Sequence, residues 1–474
     1  MQVMQRWAWL AGLICGVFAL RTLLLIDATA LWSDELYSVG KSFQASPAAV
    51  LDMLRQDTHP PLYYLLLWGW GQLVGQSPIS LRLLSWLAYL AGGLVMVLQT
   101  RSLALDRRMA VPLAALFAFC SPYPLRFAIE GKSYALLVLL VALAWWRRRA
   151  GRPLLYGVAA ALAGLTHFYG LFVVLAAAAW DGWQQRWRLT VAALLAAVPA
   201  VIWIGYAAQY LFSARAGSWI GPPDFALLEE TLARGLGVWP LPKLLLLLLA
   251  LLVLRRWGGL APVRWWDRSL LDSSGLIASL LMVAAVVLVS VLKPLAFSRY
   301  FVVLLPALVP VLAVQLSRFR LNQMGRWVAV AVLAGLLLSW GGTGFVELTP
   351  GAGGVREQDQ FRLISQRSAG LPERYSPRAR LLNLSDRMEL AMGRIEPPTA
   401  AWGDRAALRR RLQQSPRPEL IWLASSGPLP AMQRSLKPMQ KQLNEAGYRC
   451  EDRADDLSHG RLLQCQSVSR APAP

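Results

Sequence analysis

Charge is what this chain has least of: 16% of its 474 residues are charged, only 27 of them are acidic, and there are 3 histidines and 4 cysteines. An average soluble domain carries about a quarter charged residues, so an ordinary soluble enzyme is excluded. The few charges are lopsided, with 48 Lys and Arg giving a net charge of +21, which on a soluble protein would suggest nucleic acid. No basic face interleaved with stacking aromatics appears, and nucleic acid is excluded too. Cysteine is too scarce to staple the chain. Cys15 and Cys120 lie inside apolar blocks as ordinary buried side chains, whereas Cys450 and Cys465 stand in a polar tail and can pair only if that tail faces an oxidising compartment.

What the chain does have is apolar residues, 56% of the total, at a mean hydropathy of +0.42. They fall in blocks, the longer ones of about 17 to 24 residues, the length of a bilayer-spanning helix, and several shorter, whose flanking residues must share the membrane boundary. The first runs from Trp7 to Ile26. Ala28-Thr29-Ala30 after it resembles a signal-peptidase site, but the block exceeds the ~7 to 15 residues of a signal core, so it is read as the first span. Further blocks run near Ile79 to Gln99, Ala110 to Leu125, Tyr134 to Trp146, Leu154 to Thr166, Phe168 to Trp180, Leu189 to Phe212, Leu241 to Leu254, Leu276 to Leu292, Tyr300 to Leu316 and Trp327 to Phe345.

One block, Leu62 to Gly75, decides the orientation. If it lies along the membrane surface, the basic connectors Arg101 to Arg108, Arg147 to Arg152, Arg186 to Arg188, Arg255 to Arg268 and Arg318 to Arg326 all fall in the cytoplasm, as the positive-inside rule requires. If it spans, all five lie outside. Its length also suits an interfacial helix. The expectation is an α-helical polytopic protein of the inner (plasma) membrane with about eleven spans, N-terminus in the cytoplasm and a first outer loop over 27–78 with an interfacial helix at 62–75. A membrane domain over 1–348 precedes a polar extracytoplasmic domain over 349–474. In the latter Leu381 to Leu384, Leu420 to Ala424 and Leu462 to Leu463 are candidate strands, and Arg405 to Gln413 and Met432 to Ala446 candidate helices, of a small α/β fold.

This topology gathers most acids of the membrane part outside, so a site is expected there. Asp34 and Glu35 follow the first span directly. A partly desolvated carboxylate at that depth can act as general base toward a hydroxyl; the structural alternative is that Asp34 caps the next helix with Glu35 in its first turn. The loop ends with Asp57-Thr58-His59-Pro60-Pro61-Leu62-Tyr63. His59 can relay a proton, bond locally, or join Asp34 or Asp57 at a divalent metal, although typical metal sites gather three or four ligands. Between the third and fourth spans, Arg126, Glu130 and Tyr134 share a face if the segment is helical, with Lys132 turned elsewhere, toward a phosphate; an Arg126–Glu130 ion pair is the plain alternative. Arg82 and Arg299 stand at outer ends of spans, either snorkelling or cradling a phosphate with Lys132.

In order and placement, Asp34-Glu35, His59-Pro60-Pro61-Leu62-Tyr63, Leu81-Arg82-Leu83, Arg126 through Tyr134 and Arg299-Tyr300 resemble the polytopic GT-C glycosyltransferases that use polyprenyl-phosphate sugars. These include protein O-mannosyltransferases and the bacterial transferases that place aminoarabinose on lipid A. The resemblance covers about residues 1 to 345. It implies a GT-C-like fold with a lipid-sugar cavity at the outer leaflet, Asp34 as the base, and Glu35 and His59 shaping the site. Lys132 stands where the family's Glu-x-Arg-x-Tyr pattern has arginine, keeping the charge without the bidentate geometry. The expected reaction is inverting transfer of a sugar from a polyprenyl phosphate held among membrane lipids to a hydroxyl of a glycan, lipid or protein acceptor. Lys132, Arg82, Arg126 and Arg299 would bind the phosphate, and Glu130, Tyr134, Tyr63 and Tyr300 would line the site. A lipid or glycan transporter is the competing reading, but it would set ionisable groups near the bilayer midplane, often on broken helices. A noncatalytic envelope-assembly subunit fits the tail but not the carboxylates and cations.

Overall fold

Backbone polar groups in lipid must be satisfied within their own segment, which leaves an apolar block no option but a helix. The computed structural model of the chain describes residues 2–122, 127–213, 217, 219–237, 239–260, 267–348, 360–427, 429–454 and 456–468. Its apolar helices are Gln2–Leu24, Leu62–Val74, Pro78–Leu103, Arg107–Cys120, Tyr134–Arg149, Pro153–Thr166, Phe168–Trp183, Trp187–Tyr206, Pro240–Arg256, Leu276–Ser290, Leu305–Ser317 and Gln323–Leu348. Among the described residues, four segments are long and apolar enough to cross a bilayer unaided: Pro78–Leu103, Trp187–Tyr206, Ser298–Ser317 and Gln323–Gly341; the bent pair Phe225–Leu236 and Pro240–Arg256 makes a fifth only when the two are counted as one span. The count of about eleven is not reached by that standard because several helices are short. Pro153–Thr166 and Phe168–Trp183 have 14 and 16 residues, roughly 21 and 24 Å against a hydrocarbon core of ~30 Å.

The chain divides into two compact units. One comprises Met1–Leu24, Gln44–Trp68 and Arg82–Phe345; the other comprises Leu25–Phe43, Gly69–Leu81 and Val346–Pro474. In the first unit, helices approach through small residues, as lipid-embedded helices do. Tyr156, Ala159 and Ala160 meet Val174, Ala178, Ala193 and Ala196 in one buried cluster. Leu194, Leu195, Val198, Val201, Ile202, Leu245, Leu248, Leu249 and Leu252 are exposed, an apolar surface of the kind a membrane protein turns to lipid.

The basic connectors carry one buried ion cluster. Arg148, 4% exposed, donates to both oxygens of Asp181 at 2.8 and 2.6 Å, to Asp272 Oδ1 at 2.9 Å and to the Asp272 carbonyl at 2.8 Å. Arg186 also bonds both aspartates, and the Trp180 indole donates to Asp272 Oδ1 at 2.8 Å. Burial opposes the Asp272 charge, but Arg186 and Arg148 outweigh it and hold that carboxyl down to about 2.

The second unit contains a four-stranded sheet, β1 (Arg374–Tyr375), β2 (Leu420–Ser426), β3 (Tyr448–Asp452) and β4 (Gly460–Ser467), in the order β1-β2-β4-β3. β1 is parallel to β2 and the other pairs are antiparallel. Met432, Leu436, Met439 and Leu443 share one face of the helix Leu429–Glu445 and close over Ile421, Leu423 and Leu463. Cys450 and Cys465 sit opposite each other on β3 and β4 and form a disulfide. Leu381 to Leu384 form no strand. They belong to the helix Ala379–Ala391, in which Ala379, Leu382, Ser385, Met388 and Glu389 are buried at helical spacing. This helix packs on the helix Ser33–Ser42 of the same unit, where a Cβ at Gly40 would come within 2.9 Å of Leu384. Asp27 and Glu389 share two arginines: Arg362 at 2.9 and 3.1 Å, and Arg394, which bonds both acids.

Candidate active site

The first-loop acids play different parts. The helix Ser33–Ser42 starts after Trp32, which has an extended backbone, so Asp34 is not the cap that the structural alternative made it. The capping role falls to Glu35. Its carboxylate is buried and accepts from the Trp32 amide at 3.4 Å, one half of a capping box. Asp34, in the first turn, is only partly buried, and its backbone carbonyl accepts from Ser38 Oγ at 3.2 Å. Both acids belong to the second unit.

The cationic and aromatic candidates belong to the first unit. The segment before Tyr134 is not the helix expected from the spacing of Glu130 and Tyr134. Glu130, Gly131, Lys132 and Ser133 make a bend, closed by the Lys132 amide on the Glu130 carbonyl at 2.7 Å, and the helix begins at Tyr134. Gly131 is the natural breaking point. The bend turns Lys132 inward, to 4% exposure, beside a Glu130 that is 1% exposed. Ser85 Oγ fixes it by donating to the Lys132 carbonyl at 3.2 Å, with the Tyr63 hydroxyl 3.5 Å from Ser85. Arg82 is fully buried. Arg126 lies outside the described residues.

Among the described residues, neither carboxylate oxygen of Glu130 has a hydrogen-bond partner, and the Lys132 ammonium has neither a hydrogen bond nor an ion pair. Buried polar groups are nearly always paired, so orphaned ones require an explanation.

A cluster of rings surrounds His167. This residue was not singled out in the sequence, although only 3 histidines exist to consider. Its extended backbone ends the helix Pro153–Thr166, and its Nδ1 caps the helix Phe168–Trp183 by accepting from the Tyr169 amide at 3.2 Å. The turn can be this tight because position 170 is glycine; a Cβ there would lie 2.3 Å from the Ala163 carbonyl oxygen. The His167 ring centroid lies 4.8 Å from Tyr300, 5.9 Å from Tyr134, 5.7 Å from Tyr169 and 5.8 Å from His59. Burial, then the charges of His59 and Lys132, hold His167 well below the ordinary histidine range. His59, Lys132, Tyr134 and Tyr300 are thus brought to one place.

His59 Nδ1 is 2.7 Å from Asp57 Oδ1, which fixes its tautomer and orientation. Asp34 and His59, the candidate metal ligands, belong to different units, and among the described residues no three His, Cys, Asp or Glu side chains gather as a metal site. Arg299 lies over the Phe297 ring at 4.8 Å, and the preceding Ser298 accepts from Arg234 Nε at 2.7 Å.

No family model matches the sequence, and neither does any curated protein. Solved structures do. The chain is similar to ArnT from Cupriavidus metallidurans in the apo state, with a TM-score of 0.59 and 15% identity over 98% of this chain and 99% of that one. It is similar also to ArnT from the same organism bound to undecaprenyl phosphate, with a TM-score of 0.55 and 15% identity over 97% and 98% of the two chains. The chain is therefore a helical membrane protein with an ArnT-like, GT-C-like fold and a small C-terminal sheet.

Proposed function

We propose that this protein is an integral membrane glycosyltransferase that moves a sugar from a polyprenyl-phosphate donor to an acceptor hydroxyl on the extracytoplasmic side, inverting the anomeric centre. The observation that carries the reading is the buried Lys132 side chain, which has neither a hydrogen bond nor an ion pair among the described residues. An isolated buried charge costs several kcal/mol, and a bound anion removes that cost. A lipid phosphate is the anion that suits a membrane-embedded site. The structural likeness to an ArnT bound to undecaprenyl phosphate supports the same donor class.

In the proposed reaction the acceptor oxygen loses its proton to Asp34 and attacks the anomeric carbon from the side opposite the phosphate. The carbon–oxygen bond to the phosphate breaks, and polyprenyl phosphate leaves as an anion. Lys132, with Arg82, Arg126 and Arg299, stabilises the charge gathering on that leaving group, an electrostatic contribution often worth several kcal/mol. A phosphate leaves without protonation, so one base suffices where a glycosidase needs an acid as well. Asp34 is the base that the family resemblance implies, and Glu35 caps the helix that carries it. His59, Glu130, Tyr134, Tyr63 and Tyr300 shape the donor side. The extracytoplasmic placement of the tail is supported by the Cys450–Cys465 bond, which persists in oxidising compartments.

Mass spectrometry of lipid copurified with the protein tests the donor class. A polyprenyl phosphate or its glycoside is expected; a wild-type protein that neither carries nor binds one contradicts the proposal. With the donor in hand, Asp34→Asn is expected to lower kcat by about 10²- to 10⁴-fold while donor binding is retained. Unchanged turnover removes Asp34 from the mechanism.

A further inference from the structure

The cap that starts the helix Phe168–Trp183 has a chemical consequence beyond the cap itself. Because His167 Nδ1 accepts the Tyr169 amide hydrogen, the neutral ring must carry its proton on Nε2. The side chain is 5% exposed, so it is more than nine-tenths buried, and among the described residues it makes no hydrogen bond other than the one to Tyr169. Nε2–H is therefore a donor on a side chain more than nine-tenths buried, with no acceptor among the described residues. The rings around it offer no carboxylate. Tyr134, Tyr169 and Tyr300 are phenols, and His59 is committed through Nδ1 to Asp57. The nearby charge that acts on His167, besides that of His59, is Lys132.

We propose that His167 Nε2–H is a second, uncharged ligand for the phosphate that Lys132 receives, donating a hydrogen bond to one of its non-bridging oxygens. This rests on the donor class proposed above and adds a residue to it. A neutral donor suits the place. A second cation beside Lys132 would repel it whenever the anion is absent, whereas a fixed dipole adds a hydrogen bond to a charged oxygen without that repulsion. The tautomer is set by backbone geometry, so the donor is oriented before the lipid arrives, and little ordering is left to do on binding. The phosphate could be that of a polyprenyl lipid, of an ordinary anionic lipid or of the free ion, and the test separates these sources.

His167→Asn is the informative variant, because asparagine is itself a good helix cap but is too short to place a donor where Nε2 lies. His167→Phe keeps the ring contacts and loses both nitrogens. Purified protein is titrated with undecaprenyl phosphate in detergent, with inorganic phosphate and dioleoyl phosphatidic acid as competitors and the thermal midpoint recorded for each variant. Both variants are expected to bind undecaprenyl phosphate about tenfold or more weakly, the weight of a hydrogen bond to a charged group, with His167→Asn melting as wild type does. Neither competitor should displace the polyprenyl lipid at equal concentration. Wild-type affinity in a folded His167→Asn or His167→Phe protein overturns the proposal, and equal displacement by either competitor overturns the polyprenyl assignment. Wild-type protein that does not bind undecaprenyl phosphate at all would instead refute the donor class.

Discussion

Two groups of buried charges in the first unit behave in opposite ways. Around Arg148 every carboxylate meets a guanidinium, with Asp181 and Asp272 bonded by both Arg148 and Arg186. Around Lys132, a lysine and a glutamate side chain are both buried, yet neither has a hydrogen-bonding partner among the described residues, and both Glu130 carboxylate oxygens are buried without one. The sequence reading assigns the first group to cytoplasmic connectors and the second to outer ones. A buried charge with its partners in the chain is part of the fold; one without them awaits something from outside it.

Substitution separates the two most sharply. Arg148→Met leaves Asp181 buried with only Arg186 beside it and is expected to cost about 3–5 kcal/mol, read as a large fall in thermal midpoint and in folded yield. Lys132→Met should do the reverse, leaving the midpoint unchanged or higher while donor affinity collapses. Equal melting losses in both would break the comparison. The second unit extends it. Arg362→Met removes one of the two arginines shared by Asp27 and Glu389. The expected loss is about 1–3 kcal/mol, smaller because Arg394 remains, with lipid affinity untouched.

Acid sharpens the contrast further. The Asp272 carboxyl is held at about 2 in the fold against 3.8 in a free side chain. A depressed folded value gives stability that is complete above the unfolded value and lost as pH falls through the folded one. The thermal midpoint should therefore hold down to about pH 4 and then decline toward pH 2, and Asp272→Asn should lack that part of the decline. An identical acid profile in the variant would remove Asp272 as its source. The smallest effect concerns the cap: Glu35→Ala should cost about 1 kcal/mol, measured by melting.

Much of this was legible in the sequence because a membrane leaves an apolar block few alternatives. A helix does cover the expected interfacial block, at Leu62–Val74, and the Glu130 to Tyr134 segment singled out in the sequence holds a buried lysine and a buried glutamate. Their geometry was not legible. A four-residue spacing suggests a shared helical face, but residues 130–133 bend instead, and Lys132 lies buried in that bend. Trp32 concealed the start of its helix because it is not a capping residue type, so Asp34 was weighed for a role that Glu35 performs by reaching back three residues to the Trp32 amide. His167 went unseen because a histidine between two apolar runs has no local pattern; its meaning comes from rings contributed by Tyr134, His59 and Tyr300, far away in the chain. Leu381 to Leu384 look like a short strand when taken alone, and only the longer period through Met388 marks them as helical.

The central claim is that Lys132 is buried to receive a lipid phosphate. Its most direct test is the dissociation constant of undecaprenyl phosphate for wild-type and Lys132→Met protein, with folding verified by the thermal midpoint. A loss of about a hundredfold or more in affinity at an unchanged or raised midpoint is expected, in line with removal of a charge-assisted contact in a desolvated site. Equal affinity in a folded variant would contradict the account.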